Sequence, residues 1–114
     1  MGIDLAVDVE RTEDGRYVVI EGRRWRATDP AVPEEVAAVL RSELMSARRA
    51  VGAALRSGDR EAERAARARV QRTKTALGER GTPWWEQSAE QRRERWEAGL
   101  PGPAQLPDTA SPTT

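Results

Sequence analysis

The chain has 114 residues, 38% of them hydrophobic, with four Trp, one Tyr and no Phe, which allows one domain with a thin core. Its 19 basic residues balance 19 acidic ones, so net charge singles out neither an acidic nor a basic partner. The absence of both Cys and His excludes disulfides, thiol nucleophiles, zinc–thiolate sites and imidazole bases, and with them most enzyme mechanisms.

No apolar run approaches the length of a bilayer span, and the first ten residues are acidic and alternating, unlike a signal peptide. These features point to the cytoplasm. Lys74 is the sole lysine beside many arginines, the codon signature of a GC-rich genome, so arginine abundance alone says little about nucleic acid.

Ile3, Leu5, Val7 and Val9 alternate with Asp4, Ala6, Asp8 and Glu10, the period of a strand with one apolar face. A turn over Thr12–Gly15 leads to Tyr17–Ile20, and Glu21-Gly22 leads to a strand around Trp25. Together, about residues 3–27 are expected to form a three-stranded antiparallel meander that needs an apolar cover.

That cover is expected from the next segment. Pro33, Glu34 and Glu35 open a helix over about residues 33–56, with the apolar stripe Val36, Val39, Leu40, Leu44, Ala47, Val51, Ala54, Leu55. Ser57-Gly58-Asp59 ends it and caps a second helix over about 59–77, an antiparallel hairpin. The second helix shows Ala62, Ala65, Ala66, Val70, Thr73, Ala76 and Leu77 on one side. A third helical segment, about 83–98, starts at Pro83-Trp84-Trp85, and Ser88 with Gln91 forms a capping-box pattern that restarts or reinforces it. Residues 99–114 lack periodicity, are rich in Pro, and read as a disordered tail after one domain spanning about 1–98.

The stretch Arg16 to Pro30, with Glu43 to Val51 and Ala76-Leu77-Gly78-Glu79-Arg80-Gly81 before Pro83-Trp84-Trp85, resembles a family of short bacterial proteins that go under the name biopolymer transporter Tol. The resemblance covers about Arg16 to Glu86 and implies no established activity, ligand or catalytic residue.

Two groups of residues stand out as candidate sites. Trp84, Trp85 and Trp96 exceed what a thin core readily holds, and Met45 lies off the first helix's apolar stripe near Arg49; Trp and Arg are enriched at interface hot spots, so a protein-docking or self-association surface is expected there. Arg60, Arg64, Arg67, Gln71 and Lys74 recur at helical spacing, either a solvated face or a ridge that tracks phosphates. Arg23, Arg24 and Arg26 flank Trp25, the pairing of cation and aromatic used on single strands. Alternation instead favours Trp25 in the core with Arg24 and Arg26 on the solvated face. Lys74, flanked by polar residues, is expected to keep its ordinary pKa, and no Ser has an imidazole to activate it.

The reading is an α+β fold, a three-stranded antiparallel β-meander packed on a long antiparallel αα-hairpin, with a short Trp-bearing C-terminal helix. Its expected function is non-enzymatic: protein–protein binding or self-association through the hairpin and the Trp84/Trp85 region. The alternative is association with nucleic acid. No cofactor, metal, membrane or small-molecule substrate is called for.

Overall fold

The computed structural model describes residues 10–101; the alternating segment from Ile3 to Val9 and the Pro-rich tail beyond Pro101 lie outside the described residues. The element order is β1 (Glu10–Arg11), β2 (Tyr17–Ile20), β3 (Arg23–Arg26), α1 (Glu34–Ser57), α2 (Arg60–Ala76), a 3-10 turn (Trp84–Glu86) and α3 (Ala89–Gly99). The α+β fold with a helical hairpin is therefore present.

The meander is built by its turns. Between β1 and β2 the Thr12 hydroxyl donates to Asp14 Oδ1 at 2.7 Å and accepts from the Tyr17 N–H at 3.1 Å, while Gly15 takes φ 74°. Between β2 and β3 both Glu21 (φ 53°) and Gly22 (φ 79°) adopt positive φ, the two-residue geometry that matches the right-handed twist of paired strands. The sheet order is β1-β2-β3, antiparallel throughout, with Val18 opposite Trp25, Ile20 opposite Arg23 and Arg11 opposite Val18. Because side chains alternate, Arg11, Val18, Ile20, Arg23 and Trp25 share one face, and Tyr17, Val19, Arg24 and Arg26 share the other.

The helical hairpin follows its local signals. Glu34 and Glu35 occupy the first turn of α1, where the macrodipole favours negative charge, and Gly58 ends the helix in the left-handed conformation (φ 72°). Asp59 then caps α2 by accepting from the Ala62 N–H at 3.0 Å. Across the hairpin Arg69 donates to Glu43 at 2.9 Å and to the Ser46 hydroxyl at 3.0 Å.

The core is concentrated at the open end of the hairpin. Val32, Ala37, Leu40, Leu44, Ala76, Leu77 and Trp96 form one buried cluster, with Val36, Val70 and Leu100 packed against it. Among the described residues the cluster contains none from a strand. Val39 and Leu55, expected on the buried stripe of α1, are exposed, and Ala37 is buried in addition. The chain does not run as one helix from Pro83: Gln87 is extended (φ −103°, ψ 147°), and the Ser88/Gln91 capping box restarts the helix as α3. Restarting turns Trp96 inward while Trp84 and Trp85 stay on the 3-10 turn.

One buried carboxylate ties these pieces together. Asp29, in the segment between β3 and α1, is 1% exposed and receives Arg92 through Nε (3.0 Å) and Nη2 (2.5 Å), Arg95 through Nη2 (2.6 Å) and the Ala31 N–H (2.8 Å). Its own N–H donates to Leu77 O at 2.9 Å, and Arg95 Nε donates to Ala76 O at 3.1 Å. Burial pushes the carboxyl pKa up, but the hydrogen bonds from Arg92 and Arg95 outweigh it and hold the group below the usual carboxylate range. A depressed folded pKa means stability that is complete above the unfolded value, about 3.9, and is lost as pH falls through the folded value. Asp29→Ala, which leaves two guanidiniums without their anion, is expected to cost about 3–5 kcal/mol in urea denaturation at pH 7. The deficit relative to wild type should narrow on acidification below about pH 4, because only wild type loses this ion pair.

Candidate functional site

The sheet face that carries Trp25 does not pack into the core. It forms one wall of an open cleft of about 850 Å³, whose other wall is the C-terminal end of α2 and the loop that follows it. From the sheet come Arg11, Arg23, Arg24 and Arg26, with Tyr17, Val18, Ile20 and Trp25; from the helices and the loop come Arg48, Lys74 and Arg80. Among the described residues Glu79 is the only carboxylate in the lining, against seven cations.

The cations are arranged on aromatic rings. The Arg24 guanidinium lies 4.4 Å from the Tyr17 ring centroid, Arg23 lies 4.6 Å from Trp25, and Lys74 Nζ lies 5.7 Å from Trp25 on approach from α2. On the opposite sheet face Trp85 meets Tyr17 edge-on at 5.7 Å and carries Arg16 at 4.7 Å. Arg26 closes the floor by donating to Gly81 O at 2.8 Å, and the Thr28 hydroxyl donates to Glu79 Oε2 at 2.7 Å.

Several expectations need correction here. Trp25 is 39% exposed and is not a core residue. Trp84, 8% exposed with its Nε1–H donating to Ala27 O at 3.0 Å, and Trp96 fill the interior instead, and the sheet rests on Trp85 through its other face. Arg24 and Arg26 are accordingly not a plain solvated face; they lie over Tyr17 and Trp85. Trp84 and Trp96 are unavailable as docking anchors, Trp85 is half-buried against the sheet, and Met45 and Arg49 remain exposed on α1. The basic ridge of α2 divides. Lys74 joins Arg23, Arg24 and Arg26 in the cleft, whereas Arg60, Arg64 and Arg67 line a separate shallow depression of about 330 Å³ with Glu63, to which Arg67 is paired at 2.8 Å.

Lys74 also departs from its expected ordinary pKa. Desolvation lowers it; Glu79 opposes this, while Arg80 and Arg48 add to it. Arg11, Arg48 and Arg80 are not singled out by the sequence as site residues: the first strand is read from the alternating segment Ile3 to Val9, which stops short of Arg11, and α1 is read by its apolar stripe. Among the described residues no helix is long and apolar enough to cross a membrane, and no three His, Cys, Asp or Glu side chains cluster as metal ligands would.

Comparison with family models, with curated proteins and with solved structures yields no match. The geometry of the cleft therefore carries the functional reading alone.

The different placements of the tryptophans are separable by experiment. Trp84→Ala removes a buried ring and its hydrogen bond and is expected to cost about 3–5 kcal/mol in chemical denaturation. Trp25→Ala, at an open cleft, is expected to cost under about 1 kcal/mol. A larger loss at Trp25 than at Trp84 would invert the assignment of core and cleft.

Proposed function

We propose that this chain is a non-enzymatic, cytoplasmic binding module that takes up single-stranded nucleic acid in the cleft between the sheet and the end of α2. The observation that carries the reading is the collection of Arg11, Arg23, Arg24, Arg26, Arg48, Lys74 and Arg80 in the lining of one cleft, with Arg23 and Lys74 beside the exposed ring of Trp25 and Arg24 and Arg26 entering from the other sheet face. Guanidiniums give forked, charge-assisted hydrogen bonds to phosphate oxygens, and an exposed indole offers a face on which any base can stack. A groove that combines the two suits a flexible strand whose bases are free. A duplex would present phosphates to the arginines but no unstacked base to Trp25.

Protein docking has weaker support. Its expected anchors Trp84 and Trp96 are inside the chain. The exposed apolar residues of α1 are Val39, Met45 and Leu55, spaced by six and ten positions, which scatters them around a helix with 3.6 residues per turn instead of gathering them on a stripe.

Binding of a fluorescently labelled 12-nucleotide single strand is expected to weaken as salt rises, with a log–log slope of about −2 to −4, the signature of a few phosphates neutralised. Arg23→Glu/Arg48→Glu is expected to weaken it about tenfold or more, and Trp25→Ala by about 1–3 kcal/mol with little change in the slope. Arg60→Glu/Arg64→Glu, outside the cleft, should change affinity less than about twofold. Absence of binding at low salt, or an equal loss in both charge-reversal variants, would refute the assignment.

A further inference from the structure

Lys74 is the only lysine in the chain, and it stands in the last turn of α2 at the wall of a cleft whose other cations are all arginines. Arginine holds its proton at any physiological pH and is inert to acyl donors; an amine is not. The charged groups that face Lys74 are Arg48 and Arg80 on one side of the balance and Glu79 on the other. Glu79 is engaged by the Thr28 hydroxyl at 2.7 Å, and among the described residues no carboxylate forms a salt bridge with Lys74. The ammonium rests instead toward the Trp25 ring, 5.7 Å from its centroid.

We propose that Lys74 is a covalent modification site, acylated by acyl phosphates that the cleft's arginines hold by their phosphoryl group. Two features of the cleft act together. Guanidiniums at Arg23, Arg48 and Arg80 raise the local concentration of a phosphorylated donor, as clefts of one charge sign do by factors of about 10 to 1,000 in encounter. Burial, with Arg80 and Arg48, also favours the neutral amine, the form that reacts. The neutral Nζ attacks the acyl carbon, an N–C amide bond forms, and the C–O bond to phosphate breaks. Inorganic phosphate leaves with the electron pair, and the proton shed by nitrogen passes to phosphate or water. No oxidant or reductant is required.

The product is a neutral amide where the cleft had a cation. Acylation removes the charge and the cation–π contact with Trp25 and leaves every arginine in place, so it lowers the affinity of the cleft for anions without dismantling it. The modification itself needs only an anion-attracting cleft and stands independently of the nucleic-acid reading.

The test is incubation of the full chain with acetyl phosphate at pH 8, followed by intact-mass measurement and peptide mapping. The free peptide spanning residues 70–79 serves as the reference lysine, and each product is counted against the α-amino group. Acetylation at Lys74 is expected to saturate with acetyl phosphate, to run about tenfold faster than in the peptide, and to slow with added inorganic phosphate. Arg48→Gln/Arg80→Gln, checked for an unchanged circular dichroism spectrum, should bring the rate toward that of the peptide. Competition by inorganic phosphate uses wild type and so stands even where the double variant does not fold. A rate that rises linearly without saturation, matches the peptide and ignores phosphate would overturn the proposal. A chain that acetylates as expected yet binds no oligonucleotide would discard the proposed function and keep the modification site.

Discussion

The structure turns on a buried carboxylate. Asp29 lies where the chain leaves the sheet and enters the helices, and it is held by guanidiniums from α3 while its own amide is held by the carbonyl that ends α2. Buried ion pairs often stabilise little compared with well-packed apolar groups, because desolvation offsets most of the Coulomb gain. Their effect is to make alternatives costly: any arrangement that separates Asp29 from Arg92 and Arg95 strands three charges out of water. Three segments far apart in sequence thereby have one mutual placement. Gly78 permits it, since a Cβ there would lie 2.9 Å from that of Asp29 and the residue's φ is 85°.

That placement produces the cleft. With Asp29 fixed against Leu77, the strand before it must run beside the end of α2 and the loop from Gly78 to Gly81, and Arg26 joins the two by its bond to Gly81 O. Cations from β3 and from α2 then face each other across a gap. A chain of zero formal charge thus concentrates positive charge in one concavity, while acids such as Glu34, Glu35, Glu61, Glu63 and Glu90 lie at helix starts, where the macrodipole favours them. Overall neutrality is compatible with a strong local field, because field strength at a surface follows the arrangement of charges and not their sum.

What the sequence made legible was local. The turns at Gly15 and Gly22, the Gly58/Asp59 stop and start, and the Ser88/Gln91 capping box each depend on residues within a few positions of one another, and each is present. The candidate site depended on distance. Trp25 is the largest ring of the sheet and alternation put it inward, but a three-stranded sheet has two faces, and Trp85, sixty positions on, decided which one is covered. Helical spacing correctly put Lys74 in line with Arg67 and Arg64, yet only the last turn of α2 reaches the sheet, so the ridge splits at a boundary that periodicity does not mark. Asp29, before Pro30, carries no local signal of its role. Its partners are more than sixty positions away, and nothing in their spacing announces them.

Under the proposed modification of Lys74, the cleft gives a strongly arginine-biased chain an adjustable charge. Arginine supplies a fixed field that neither pH nor common acyl chemistry alters, and it stacks on aromatic rings as Arg23 and Arg24 do here. Such a surface can bind an anion, but it has no setting other than on. Lysine differs in two respects: its proton is removable when its surroundings are cationic and dry, and its nitrogen is then a nucleophile. The one lysine of the chain lies near Arg48, Arg80 and the Trp25 ring, so the one side-chain amine stands among fixed positive charges. Under the two proposals, recognition and its control share one wall of the same cleft, because the arginines placed to attract an anionic ligand are also placed to attract a phosphorylated donor.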